Sequence, residues 1–189
     1  MRVVVVVPPV PVVTPQEAAE HLKVDDLAEE GAIIKAMVEA ATAHIDGPFG
    51  WLGRAIGVQT LEAAMPTWCV AENFSLPYPP LIDIVSITYR DAQRQTVTVD
   101  PAAYEVIDGL VEAIGNPAWA PARPAKNGLR VRYRAGHEKV PAAIRAAILL
   151  MVGDLYRNRS TVSHGREQPT AVPMSTTVEN LLAPFRVYA

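Results

Sequence analysis

The stretch from Val140 to Arg159, VPAAIRAAILLMVGDLYRNR, is the most apolar in the chain, and it stops abruptly in Tyr-Arg-Asn-Arg. Three fates are open to such a segment: crossing a membrane, filling a core, or meeting another protein. Only eight uncharged residues separate Arg145 from Asp154, whereas a spanning helix needs about 20 apolar residues. Pro141 stands where a first-turn proline is tolerated, so the helix is expected to begin there. Ile144, Ile148, Val152 and Leu155 share one face at helical spacing, while Ala146, Leu149 and Gly153 make the opposite side apolar too. A helix apolar nearly all round is buried on all sides. It is therefore a central core helix, or one covered partly by its own domain and partly by a neighbour.

Around it, the bulk composition is that of a globular protein. The chain has 189 residues, 50% of them hydrophobic and 20% charged, with a formal net charge of −3. That length suffices for one domain with a substantial core. The acidic balance lacks the basic excess of a sequence-specific DNA binder. Cys69 is the only cysteine, which rules out an intramolecular disulfide and fits a reducing compartment. Arg2 followed by Val3–Val7 has the start of a signal peptide, but Pro8-Pro9 ends the apolar run early and no small-residue cleavage site follows. Nine of the 17 prolines gather at 8–11, 77–80 and 117–124, where they punctuate loops.

Helix signals precede the middle of the chain. In TPQEAAEHL, Thr14 is a cap, Pro15 fits the first turn and Glu17 completes a capping box. A second start has Asp26 as cap with Glu29 three residues on. Leu27, Ile34, Val38, Ala41 and Ile45 then repeat at helical spacing, predicting a helix from Asp26 to about Ile45 that DGPFGWLG terminates. From about 56 to 134 the pattern turns to β structure. AIGVQTLEAAM alternates in part; LIDIVSITYRD sets Ile82, Ile84, Ser86 and Thr88 against Asp83, Val85, Ile87 and Tyr89. QTVTV follows after a short turn, and Asp108-Gly109 is a strong hairpin signal inside YEVIDGLVEAI. LRVRYRAG sets Val131 and Tyr133 against Arg130, Arg132 and Arg134. The turns are too short for parallel crossovers, so antiparallel hairpins are expected. The fold class is thus α+β: a small helical bundle with an antiparallel β-hairpin-rich insertion. Residues 1–13 read as a Val/Pro extension. Residues 14–189 read as a single domain, with helices at about 14–48 and 141–159 and an apolar C-terminal segment at about 178–189.

No catalytic constellation stands out. His21, His44, His137 and His164 pair neither with one another nor with Cys69 at metal-ligand spacing, and no nucleophile elbow or phosphate loop is present. No catalytic, cofactor-binding or metal-binding residue, and no cofactor, is assigned. Asp25, Asp26, Glu29 and Glu30 form the densest charge cluster; it is better read as acidic residues favouring a helix N-terminus than as a catalytic pair. Cys69 beside Trp68 reads as packing. Arg130, Arg132 and Arg134 could touch nucleic acid, but in an acidic chain they read first as a solvated or salt-bridged face. Two alternatives stay open: a small enzyme whose site converges from distant residues, using the acidic cluster or His137, and a nucleic-acid-binding module built on the three-arginine strand.

The order of the fragments TPQEAAEHLKVD, LPYPPLIDIVSITYRDAQRQTVTVDPAAYEVI, VRYRAGHEKVPAAIRAAILLMVGDLYRNR and VENLLAPFRV, spanning residues 14 to 188, resembles the phage head–tail connector family, the adaptor (head-completion) proteins of long-tailed phages and gene transfer agents. The resemblance implies a non-enzymatic virion protein, made in the host cytoplasm and placed at the head–tail junction. It implies a ring, dodecameric in the virion, with the portal above, a tail-side completion protein (stopper or tail terminator) below, and DNA passing through the lumen without sequence-specific binding. No membrane is involved. Asp26–Ile45 and Pro141–Arg159 would be the paired core helices. LLAPFRVYA would dock on the portal through Leu181, Leu182, Phe185, Arg186, Val187 and Tyr188, and removing residues 181–189 is expected to leave a folded chain. The start MRVVVVVPPVPVV departs from the family pattern in being longer and richer in valine.

Overall fold

The computed structural model describes residues 1–25, 27–67, 73–117, 119, 124–158 and 174–188. The elements are β1 (Arg2–Val7), α1 (Pro15–Leu22), α2 (Leu27–Ile45), β2 (Gln59–Met65), β3 (Asn73–Ser75), β4 (Leu81–Arg90), β5 (Thr96–Thr98), β6 (Tyr104–Ile107), β7 (Leu110–Ala113), β8 (Leu129–Ala135), α3 (Ala142–Arg157) and α4 (Thr176–Leu182). The class is α+β, as expected. The chain divides into two compact units, one of Met1–Val10 with Arg54–Glu138, the other of Pro11–Gly53 with Lys139–Ala189. The boundaries differ from those read in the sequence: residues 1–10 belong with the strands instead of forming an extension.

In the helical unit, α3 packs against α1, α2 and α4. Thr14 caps α1, its Oγ1 accepting from the Glu17 amide at 3.1 Å. The Glu17 carboxylate is turned to Arg145, whose Nη2 donates to it at 2.6 Å while Nη1 donates to the Val12 carbonyl at 2.8 Å. That arginine, in the middle of the apolar stretch, therefore ties the start of α1 to α3. Asp26 lies outside the described residues. Ile34, Val38, Ala41 and Ile45 of α2 are buried as the spacing predicted. In α3, Ile144, Ala147, Ile148, Val152 and Gly153 are buried, each large aliphatic contributing about 1.5–3 kcal/mol relative to exposure. Pro141 is the residue before the helix, one position earlier than expected. The helix is not buried all round. Leu149, Leu150 and Met151 are half-buried and Leu155 is exposed, so of the two readings of this stretch the chain supports the one with partial cover.

The strand-rich unit holds a five-stranded sheet in the order β1-β2-β8-β4-β5 and a three-stranded sheet in the order β3-β7-β6. All ladders are antiparallel. Among the described residues β4–β5 and β6–β7 are local hairpins, while β8 pairs with β2 and β4, both far back in the chain. β8 alternates perfectly between buried and exposed. β4 does not, because its register slips between Leu81 and Asp83 and again between Ile84 and Ser86. Each slip inserts one residue and reverses the phase. Ile84 and Ile87 consequently both face the core side while Val85 is exposed, which breaks the simple two-set reading of this strand. One cluster, including Leu61, Phe74, Ile87, Val111, Trp119, Val131 and Tyr133, is shared by the two sheets. Phe74 and Trp119 meet edge-on at 5.4 Å. The Tyr133 hydroxyl donates to the Pro77 carbonyl at 2.7 Å, and burial pushes its ionisation up.

Gly136 shows why strand β8 ends as it does. Its φ is +119°, and a side chain there would strike the carbonyl of Gly57. The next amide, of His137, donates to the Ile56 carbonyl at 2.8 Å. The close approach of two backbones at this point needs glycine.

Candidate functional site

The C-terminal segment is held by its own unit. Ser175 caps α4, and Val178 and Leu182 on its inner face are fully buried. Pro184 falls in a 3-10 turn at Ala183–Phe185 that closes the helix, as a proline inside a helical pattern should. Beyond it the chain runs beside the loop that follows α2: the Val187 amide donates to the Leu52 carbonyl at 2.8 Å. Gly53, with φ +64°, faces the Val187 carbonyl so closely that a Cβ would collide with it.

This arrangement sorts the six residues read as a docking set. Leu182 is core, not surface, and leaves the set for that reason. Leu181, Phe185, Arg186 and Val187 are half-buried. Tyr188 is 78% exposed. The Arg186 guanidinium lies 4.1 Å over the Trp51 ring and 4.8 Å from that of Tyr188, two cation–π contacts that hold the end of the chain in place. Phe49, two residues before Trp51, is 97% exposed. Trp51, Arg186 and Tyr188 therefore form one stacked group at the surface, with exposed Phe49 on the same loop as Trp51; aromatic residues and arginine are the types that most often dominate interface energy. The loop DGPFGWLG was legible only as a helix terminator. Two aromatic residues between glycines, where no apolar periodicity calls for them, were the available signal.

The other candidates are tied down or scattered. Arg130 and Arg132 both bind the Glu62 carboxylate, at 3.2 and 2.9 Å. Arg134 forks onto Asp83, its Nε donating at 2.9 and 3.1 Å, and that contact holds the Asp83 carboxyl below its ordinary range. The strand is thus a salt-bridged face. Of the acidic cluster, Glu30 accepts from the Tyr156 hydroxyl at 2.5 Å, joining α2 to α3. His137 Nε2 lies 3.4 Å from Arg54 Nη1. Burial, then the Arg54 charge, push the histidine down, and burial lowers Arg54 as well. Cys69, Trp68 and His164 lie outside the described residues. Among the described residues, no three His, Cys, Asp or Glu side chains are grouped to hold a metal ion, and no helix is long and apolar enough to cross a membrane. A pocket of about 260 Å³ lies between α2 and α3, lined by residues such as Ala41, His44, Met151 and Leu155.

The fold as a whole has counterparts among solved structures. No family model matches the chain, and no curated protein matches it. The whole chain superposes on a chain from the neck of an empty GTA particle computed with C6 symmetry, covering 97% of that chain with a TM-score of 0.77 at 20% identity. It matches a chain from the neck of a native GTA particle computed with C12 symmetry at a TM-score of 0.73 and 19% identity. A chain from the virion of a native gene transfer agent particle matches at 0.75 and 20%. In each case all of this chain is covered. The fold is that of these neck chains, in agreement with the α+β architecture implied by the connector resemblance.

Proposed function

We propose that this protein is a structural subunit of a head–tail neck: a ring-forming adaptor at the head–tail junction of a virion, joining the portal to a tail-side completion protein around a channel for DNA. One observation carries the reading, the end-to-end agreement of this fold with chains from symmetric neck assemblies. Copies assemble as a ring, a dodecamer by the connector resemblance. The role is mechanical and requires no catalysis. The portal meets the stacked group of Trp51, Arg186 and Tyr188, together with Phe49 on the same loop as Trp51 and the half-buried Leu181, Phe185 and Val187 of the C-terminal segment. DNA passes the ring without being gripped, because the arginines of β8 are already engaged by carboxylates.

Electron microscopy of the purified protein mixed with its portal tests this. The expected particle is a portal carrying an added ring on one end, with the double variant Arg186→Ala, Tyr188→Ala folded but at least about tenfold weaker in joining it, the loss that about 1.4 kcal/mol of hot-spot energy produces. A portal left bare at saturating protein contradicts the reading.

A further inference from the structure

Each sheet of the strand-rich unit ends in an edge strand with exposed apolar residues on both faces. β1 is the outer strand of one sheet and β6 of the other. Val5 stands opposite the fully buried Leu61, hence on the core face, and yet is 45% exposed. Val4, on the other face opposite Glu62, is exposed too. In β6, Val106 stands opposite the fully buried Val111 and is 42% exposed, while Ile107 is exposed on the other face. Strands apolar on both faces belong in the interior of covered sheets, and such an edge invites a further strand.

The edges also differ in charge. Arg2 begins β1 and forms no ion pair among the described residues. On the β6–β7 hairpin, Glu105 and Glu112 stand directly opposite each other, both exposed. Like charges in that position are unfavourable without a cation nearby.

We propose that β1 of one subunit adds antiparallel to the free edge of β6 of a second copy, with Arg2 beside Ile107, Val3 beside Val106, Val4 beside Glu105 and Val5 beside Tyr104. This register sets Val3 and Val5 on the same side as Val106 and Tyr104, so both core faces join. It sets Arg2 on the same side as Glu105, one diagonal step away. A closed ring needs a head-to-tail contact between two different patches of each copy, and this chain carries both. The inference deepens the ring reading and rests on it.

Charge exchange tests it on the full chain assembled with portal. Arg2→Glu should leave the thermal melt of the free subunit unchanged and weaken ring formation at least about tenfold. Adding Glu105→Arg should restore it. In a Cys69→Ser background, Val3→Cys with Val106→Cys should give oxidised multimers that neither single variant gives. Rings that form normally with Arg2→Glu, or a double exchange that fails to restore them, overturn the strand contact while the ring reading stands. A wild-type chain that forms no ring on portal overturns both.

Discussion

Strands β8 and β1 belong to the same sheet and obey opposite rules. β8 lies in the middle, pairs on both sides, and alternates buried apolar residues with exposed arginines. β1 lies at the edge, pairs on one side, and is valine from position 3 to 7. The central strand has the pattern of a half-covered surface, the edge strand that of a covered interior. β8 is therefore finished within the single chain. β1 is not, and its composition makes sense where a second copy supplies the missing cover.

The contrast can be broken or sharpened by substitution. The largest effect is expected at Tyr133, fully buried with its hydroxyl bonded to Pro77. Tyr133→Ala should cost about 3–5 kcal/mol in urea unfolding of the free subunit, and a loss under about 1 kcal/mol would mean that β8 is not the centre of the core. The same division runs through the C-terminal segment. Leu182→Ala should cost about 2–5 kcal/mol, whereas Tyr188→Ala should leave the melting curve unmoved and act only on portal attachment. Deleting residues 181–189 therefore removes a core side chain and should destabilise the subunit itself, against the expectation drawn from the sequence.

Identical substitutions in the two strands give a closer comparison. Val131→Ala should cost about 2 kcal/mol in the free subunit, and Val5→Ala within about 0.5 kcal/mol. In assembled rings the gap should narrow, as Val5 gains a neighbour. A smaller change is expected with pH. His137 is held below its ordinary value by burial and by Arg54, so the unfolded chain takes up the proton more readily than the folded one. Stability should be full above about pH 6.5, the ordinary histidine value, and decline as pH falls through it until the folded group titrates as well. His137→Gln should flatten that decline in unfolding curves taken across the range.

What could be read from the sequence follows the same physics. Local signals were legible: the Thr14 cap, the spacing of Ile34, Val38, Ala41 and Ile45, the Asp108-Gly109 turn with positive φ at both residues, and the alternation of β8. Non-local ones were not. β1 has no alternation to mark it as a strand, and only its ladder with β2 does so. The three-residue β3 is too short for a period. The two slips in β4 hide in a sequence that alternates on paper. At the candidate site, the aromatic and arginine residues after Pro184 were visible. Their partner Trp51 lies more than a hundred positions away, and no spacing rule connects the two. Leu182 could not be separated from half-buried Leu181 beside it, because a one-residue turn about the α4 axis decides between core and surface.

Amide hydrogen exchange on the free subunit and on portal-bound rings tests the central claim most directly. The account predicts that those amides among Val3–Val5 that point away from β2 exchange at least about tenfold more slowly in the ring, as an edge gaining a ladder must, while those of β8 are protected equally in both states. Rings in which the β1 amides exchange as fast as in the free subunit would contradict it.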